Sequence, residues 1–184
     1  MTTSSAKGAA ERVELTRLQA TAARRAAEAK ATMPHVYATA AIVLNPSALL
    51  VAVAKALRAV PELNAAYVDG AIERYDRVNL GIALDGPVVP TIFDADDKDA
   101  AALGAELGAL QARAPDDFTA PELAGATFTI HGLGVAGLGS FTPVLVPRQA
   151  AGLGVGAAGL RLAGDARMLG ATELGRFLER LAGA

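Results

Sequence analysis

The sequence contains no cysteine and only two histidines, His35 and His131, among its 184 residues. The absence of cysteine excludes disulfide bonds and a thiolate nucleophile, and two histidines are too few for us to expect a dedicated zinc site. Runs of like charge are also missing, since 17 Lys and Arg stand against 19 Asp and Glu for a net charge of −2. We therefore expect neither nucleic acid nor a membrane surface as a partner.

Long apolar runs and a leader pattern are absent too. No uninterrupted apolar stretch of about 18 residues occurs, and the first ten residues are small and polar rather than basic and then apolar. A cytoplasmic location is the resulting expectation. Hydrophobic residues make up 52% of the chain, which is enough to bury one sizeable core. We predict a flexible tail over residues 1–10 and a single domain over residues 11–184.

The order of predicted elements mixes helices with hairpins. Periodicity and end signals predict helices over 15–31, 48–60, 98–113 and 172–181. Strand signatures occur at 35–44, 78–84, 88–93, 127–131, 142–146, 150–156 and 160–162, and Asp69-Gly70 marks a hairpin turn within 67–72. This order predicts an α/β (α+β) protein around a mixed sheet.

Several distinctive stretches follow one another along the chain: TAARR at 21–25 with MPHVY at 33–37, VPELNA at 60–65, VVPTIFDAD at 88–96, TFTI at 127–130 with its following LG, FTPV at 141–144 and PRQAA at 147–151. In this order they resemble the catalytic domain of the dihydrolipoamide acyltransferases of 2-oxo acid dehydrogenase complexes. The resemblance implies a chloramphenicol acetyltransferase-like mixed-sheet sandwich. It also implies a homotrimer with active sites in channels between neighbouring subunits.

The chain departs most from that family at the catalytic motif. The family reads His-x-x-x-Asp-Gly, or Asn for Asp, whereas here Ala166 occupies the histidine position and Gly170 the acid position. In the family the histidine is the general base that activates an acceptor thiol or hydroxyl to attack a thioester carbonyl, and alanine can accept no proton. The family serine that stabilises the tetrahedral oxyanion is matched by His131.

Three interpretations follow from these replacements. In the first interpretation, Ala166 was engineered from histidine. The retained Asp165 and Arg167 suggest this, but it leaves Gly170 and His131 unexplained. In the second interpretation, the chain is a natural relative whose pocket serves another small-molecule reaction, with His131 as the titratable group. In the third interpretation, the chain is a trimeric scaffold or binding protein that has the family fold but no catalytic activity.

If the chain is active, the resemblance implies a stand-alone acyltransferase. It would transfer an acyl group from coenzyme A or a carrier-protein thioester to a small-molecule hydroxyl or thiol. We expect natural-product tailoring as its setting and no metal. The lipoyl and subunit-binding domains of the family, and its apolar C-terminal extension, are not found here, so we expect an isolated trimer.

Other residues have weaker signals. Ser140 offers a hydroxyl to the channel, and Arg24, with Arg25, lies where the family has an arginine that pairs with the acid now replaced by Gly170. His35 is expected to be structural, at a subunit interface. The glycine-rich run at 132–139 matches no phosphate-binding loop, and backbone flexibility or close approach of chains explains it better. Two family segments are shortened here, near 49–51 and 157–160.

Overall fold

The computed structural model describes residues 4–84 and 86–183, and residues 1–3, part of the predicted tail, lie outside the described residues. Over the described part, the α-helices are α1 (Arg17–Thr32), α2 (Pro46–Ala59), α3 (Ala100–Gln111), α4 (Ala120–Ala124) and α5 (Ala171–Ala182). The strands are β1 (Ser4–Ser5), β2 (Gly8–Ala9), β3 (His35–Ala40), β4 (Ala65–Val68), β5 (Ala71–Arg74), β6 (Leu80–Ile82), β7 (Thr91–Ile92), β8 (Phe128–His131), β9 (Ala151–Gly156) and β10 (Gly159–Asp165).

A six-stranded mixed sheet in the order β3-β10-β9-β8-β6-β7 is the centre of the molecule. Its pairs are antiparallel except for β6 with β8 and β8 with β9, which are parallel. Two hairpins, β1-β2 and β4-β5, stand apart from it. The predicted class, one domain with a mixed sheet, is therefore confirmed. In the tail region, residues 4–9 form the first of these hairpins, so its flexibility stays a prediction.

Helices α2, α3 and α5 cover one face of the sheet, which we call the inner face. Because side chains alternate along strands, the laterally paired Ile130, Leu153 and Leu162 point to this face together. All three are fully buried in the main core. The rings of Phe128 and Phe177 lie 5.7 Å apart between sheet and α5. This layer supplies most of the hydrophobic stabilisation, at about 25 cal/mol per Å² of apolar surface buried.

Helices α1, α2 and α3 each begin at a side-chain cap, which explains their starts. Thr16 accepts a hydrogen bond from the backbone N–H of Gln19, Asn45 from that of Ala48, and Asp99 from that of Ala102. Pro46 occupies the first position of α2, where no backbone donor is needed. Helix α2 is continuous through residues 49–51, so the shortened family segment is spanned without a break.

An extended segment, residues 139–149, covers the opposite, outer face of the sheet. We name it the outer segment. Its path follows Gly152, Gly154 and Gly156, which alternate along β9 and point to that face. A Cβ on Gly156 would lie 2.6 Å from the Gly139 carbonyl oxygen, and one on Gly154 would overlap the Phe141 carbonyl oxygen. The missing side chains thus let the outer segment lie directly on the sheet.

The prediction of a strand at 142–146 is wrong. This stretch forms no ladder because Pro143 and Pro147 lack backbone donors and because the N–H of Leu145 donates instead to His35 Nε2, at 3.1 Å. Leu145 packs in a small second core with Ala29, Met33 and Ala163. The stretch is a covering layer rather than a seventh strand.

Within the described residues, no helix has the length and apolar character needed to cross a membrane.

Candidate active site

His131 is the last residue of β8 and points to the outer face. Its neighbour across the sheet is Gly154, and the next residue in the same row is Arg161 of β10. The ring stacks on Phe141 of the outer segment, with centroids 6.0 Å apart and planes 26° apart. Gly154 provides the space for this contact, since a side chain there would displace the backbone at Phe141.

The two ring nitrogens of His131 have different surroundings. Nε2 is buried and has no hydrogen-bond partner within the described part of the chain. Burial lowers the pKa of His131 from 6.5 to about 4, so the ring is neutral at physiological pH. A buried N–H without an acceptor is more costly than a bare lone pair, which favours the tautomer with its proton on Nδ1.

This arrangement corrects the expectation that His131 titrates near neutrality. Protonation would create an N–H at Nε2 with no acceptor, so the ring is a weak base. It remains a good hydrogen-bond donor through Nδ1. A donor is what the serine at this position supplies in the pattern described above.

Ala166 lies in the turn immediately after β10, and its side chain is exposed. Its backbone N–H donates to the Pro34 carbonyl at 2.7 Å, which fixes the turn against the start of β3. Gly170 is the N-cap residue of α5, and its N–H donates to Glu173 at 2.9 Å. Neither position offers a side-chain base or acid.

Asp165, the residue before Ala166, is fully buried and committed to Arg167. Its two oxygens accept from the backbone N–H, Nε and Nη2 of Arg167 at 2.6–3.1 Å. The Arg167 guanidinium lies 4.2 Å from the centre of the Tyr67 ring, and the Asp165 carboxylate raises the pKa of Arg167 further. The hydrogen bonds between Asp165 and Arg167 therefore hold the motif in place, although alanine stands at position 166, where the family has its reactive histidine.

His35 is also fully engaged. Because Nε2 accepts from Leu145, Nδ1 must carry the proton, and it donates to the Met33 carbonyl at 2.6 Å. Its structural role is confirmed, and its place at a subunit interface stays a prediction.

Ser140 and Arg24 have different positions relative to these groups. Ser140 is exposed on the outer segment and lines a shallow depression of about 240 Å³ with Thr39 and Arg161, at the same end of the sheet as His131. Arg24 is exposed on α1 and makes no ion pair among the described residues, and its role in substrate binding stays a prediction. Nor do His, Asp and Glu side chains there form a group of three able to hold a metal.

Within one subunit, the two halves of the predicted site are far apart. His131 is level with Arg161, and Ala166 follows five residues later along β10, or about 17 Å at about 3.4 Å per residue. Two strand spacings separate them as well. His131 and Ser140 are therefore brought together at one end of the sheet, and Ala166 and Gly170 at the other.

Within the glycine-rich run, Gly132, Gly134 and Gly137 have a positive φ, and Gly132 is also closely packed. Gly132 has φ +76°, and a Cβ there would lie 2.6 Å from the Val155 carbonyl oxygen. Sequence reasoning missed the stacking of Phe141 on His131 and of Arg167 on Tyr67. Neither has a local signal, because in each pair the partners come from different elements.

Comparison with known proteins matches these features to one family. The model of the 2-oxoacid dehydrogenases acyltransferase catalytic domain matches residues 43–166, about two thirds of the chain. The chain belongs to this family.

Curated relatives are dihydrolipoyllysine-residue acetyltransferase components of pyruvate dehydrogenase complexes. The protein from Rickettsia bellii is 33% identical over 167 residues, covering 76% of this chain and 40% of its own length. That from Mycobacterium tuberculosis is 43% identical over 112 residues, covering 58% and 20%. The chain thus spans well under half the length of either relative.

Solved structures agree over nearly the whole chain. Azotobacter vinelandii dihydrolipoamide acetyltransferase has a TM-score of 0.86 at 28% identity, covering 96% of this chain and 91% of its own. In that protein a serine, a histidine and an asparagine were investigated for their catalytic role, and its histidine and asparagine are four residues apart, as Ala166 and Gly170 are here. A cubic pyruvate dehydrogenase core has a TM-score of 0.86 at 27% identity, covering 97% and 92%.

Proposed function

We propose that the chain is an acyltransferase of the 2-oxoacid dehydrogenase type that transfers an acyl group from a coenzyme A or carrier-protein thioester to a small acceptor. The observation that carries the proposal is His131, which replaces the serine of the family pattern and still presents a donor from a neutral ring. The preserved scaffold of Asp165 and Arg167 supports it. The relatives belong to pyruvate dehydrogenase complexes, so a natural-product setting gains no support from them.

His131 would act on the acyl carbonyl. As a nucleophile attacks the thioester carbon, negative charge develops on the oxygen, and a fixed N–H donor stabilises that charge. Removing one such donor costs about 10²–10³ in kcat in other enzymes. Neutral imidazole can fill this role, because one of its ring nitrogens carries a proton and donates a hydrogen bond without the ring being charged.

The site would be completed between subunits of a homotrimer. The distance of about 17 Å along the sheet between the levels of His131 and Ala166 prevents one chain from bringing both to one thioester. Exposed apolar side chains occur on several elements, among them Val43 and Ile72, which are 72% and 52% exposed. A contact between copies would cover such surface.

The test is to restore the family base. The variant Ala166→His, given acetyl coenzyme A and the thiol acceptor dihydrolipoamide, should transfer acetyl groups at least tenfold faster than the unchanged chain. Asp165 and Arg167 would flank the new imidazole as in the family motif. An unchanged rate of acetyl transfer would contradict the interpretation that Ala166 was engineered from histidine. It would also show that the base is not the only group the pocket lacks.

A non-catalytic scaffold is the second candidate. It is favoured by Ala166 and Gly170, which offer neither a side-chain base nor an acid at the motif. Acetyl coenzyme A binding, measured by calorimetry, separates the two candidates. A scaffold should show none, whereas the acyltransferase should bind the donor and lose that binding when the oligomer is dissociated.

A further inference from the structure

A single backbone hydrogen bond holds the middle of the outer segment to the sheet. The N–H of Leu145 donates to Nε2 of His35 on β3, at 3.1 Å. Among the described residues, no other backbone N–H or carbonyl group of residues 140–145 makes a hydrogen bond. The remaining attachments are chiefly side-chain contacts, those of Leu145 in its small core and of Phe141 with His131. The position of this stretch therefore depends in large part on one imidazole nitrogen.

This hydrogen bond requires a neutral His35. Nδ1 of the ring lies 2.6 Å from the Met33 carbonyl oxygen, which can only accept, so Nδ1 carries the proton and Nε2 the lone pair. A proton added to Nε2 would place two N–H donors against each other. Leu145 is only 2% exposed, so its N–H has no access to water while the segment stays in place. Because a buried donor without an acceptor is costly, a protonated ring destabilises this arrangement.

The charged and titratable groups on the neighbouring elements leave such a proton without an acceptor. Asp165 of β10 pairs directly with His35 in the ladder, and its carboxylate is held by Arg167. Along β3, the Tyr37 ring lies 5.9 Å from the imidazole, and its hydroxyl accepts a hydrogen bond from Lys30 of α1. None of these groups, all within the described part of the chain, is hydrogen-bonded to His35.

From these contacts we propose that His35 makes the position of the outer segment depend on pH: as the imidazole gains a proton, its hydrogen bond to Leu145 is lost and the segment opens from the sheet. The neutral ring stabilises the closed arrangement seen in the structure. The protonated ring favours an open arrangement, in which both N–H groups can bind water. The open population therefore rises as the pH falls. Because Phe141 lies on the segment, opening also uncovers the His131 ring.

The interval from pH 7.5 to 5.0 isolates this effect from other titrations. Histidine is the side chain whose ordinary pKa falls in this interval, whereas carboxyl groups ordinarily titrate near pH 4. Burial lowers the pKa of His131 from 6.5 to about 4, so that ring stays mostly neutral at pH 5.0. Arg148, the only charged residue of the outer segment, is engaged with Glu73 of β5 rather than with His35. A change in the segment over this interval therefore reports on His35.

Amide hydrogen exchange of the full chain at pH 7.5 and 5.0, followed by mass spectrometry and corrected for the intrinsic effect of pH, tests the proposal. Between these values the protection of amides in 140–145 should fall about tenfold further in the unchanged chain than in His35→Gln, because only the unchanged chain loses the hydrogen bond. The glutamine amide oxygen can accept from Leu145 but does not titrate, so this matched variant also reports any general acid destabilisation. His35→Ala should have low protection at both values.

A second variant makes the test independent of changes at position 35. His131→Phe retains a ring against Phe141 and removes the other imidazole, and the fall in protection at 140–145 should persist in it. Loss of the response in His131→Phe would show that His131 is responsible and would overturn the proposal. Equal falls in the unchanged chain and in His35→Gln would overturn it as well. Neither result bears on the acyltransferase proposal, since the measurement needs no substrate.

Discussion

His131 and Ala166 occupy opposite ends of one sheet, although the family pattern needs both positions at a single thioester. His131 is level with Arg161, and Ala166 begins the turn at the far end of β10. Under the proposed function, a working site would combine the two ends from different copies of the chain. This relationship makes the sharing of sites between subunits directly testable.

The first prediction concerns that sharing. The double variant His131→Ala/Ala166→His should be about 10²-fold less active than Ala166→His, because its oxyanion donor is missing. Mixed trimers with the unchanged chain should be active with dihydrolipoamide, since some interfaces then combine His131 of one copy with the new imidazole of another. Activity should peak at intermediate mixing ratios after joint refolding. A mixture no more active than its two components would show that each chain works alone or not at all.

The second prediction is that His131→Ala removes turnover without loosening the protein. At pH 7.5 acyl transfer should fall about 10²-fold, as expected for loss of one oxyanion donor. Its Nε2 has no partner within the described residues, so truncation costs mainly the contact with Phe141. The melting temperature and the sedimentation coefficient should stay close to those of the unchanged chain. Restored transfer in His131→Ser would confirm the donor role.

The third prediction concerns acid stability. Burial lowers the pKa of His131 from 6.5 to about 4, so between these values the unfolded chain binds more protons than the folded one. Its folded state must therefore lose stability as the pH falls from about 6.5 towards 4, by up to about 3 kcal/mol at 1.36 kcal/mol per pKa unit. In urea unfolding, His131→Ala should lose less stability than the unchanged chain over this window. Equal losses would contradict the buried neutral ring.

The fourth prediction uses the glycines beneath the outer segment. Gly154→Ala should destabilise the fold by about 2–3 kcal/mol or more, because its Cβ would overlap the Phe141 backbone, which cannot rotate away. Gly152→Ala is the control, since its Cβ would lie 3.4 Å from the nearest atom, the Thr129 carbonyl oxygen. Chemical denaturation of both variants gives the comparison. Similar losses would show that the outer segment does not lie tightly on the sheet.

The fifth prediction concerns the scaffold at the motif. Arg167→Ala should cost about 3 kcal/mol, because it leaves the fully buried Asp165 carboxylate without its partner. Arg161→Ala, which removes an exposed guanidinium with one long contact to Thr142 at 3.4 Å, should cost less than about 0.5 kcal/mol. Thermal unfolding resolves the difference. A small effect at Arg167 would mean that Asp165 finds other donors.

Much of the fold follows from local signals in the sequence. The Asp69-Gly70 turn has positive φ at both residues, 48° and 84°, as its composition predicts, and it joins β4 and β5. The four predicted helices are all present. Helix α4 was missed although Thr119 and Glu122 form a capping box that marks its start. A helix of five residues has too little periodicity to be noticed.

Tertiary packing determines the features that the sequence did not predict. Strand β10 continues through Gly164 and Asp165, which are poor strand residues, because β3 and β9 pair with it on both sides. The positions of His131, Ala166 and Gly170 in the motifs followed from family resemblance. Their surroundings did not, because the burial of Nε2 and the stacking on Phe141 depend on a segment ten residues away that lies over β9.

The glycines on the outer face of β9 also determine which wall of the candidate site opens at the lower free energy. Where the outer segment crosses Gly154 and Gly156, few side chains are buried beneath it, and backbone hydrogen bonds such as Ala157 N–H to Leu138 C=O hold it. Segments with little buried apolar surface open at a lower free energy than the core beside them. Amide hydrogens at 133–141 should therefore exchange with solvent well before those of β9 and β10. Under the proposed function, the wall that carries Phe141 and Ser140 would open more readily for a substrate than the wall that carries Asp165.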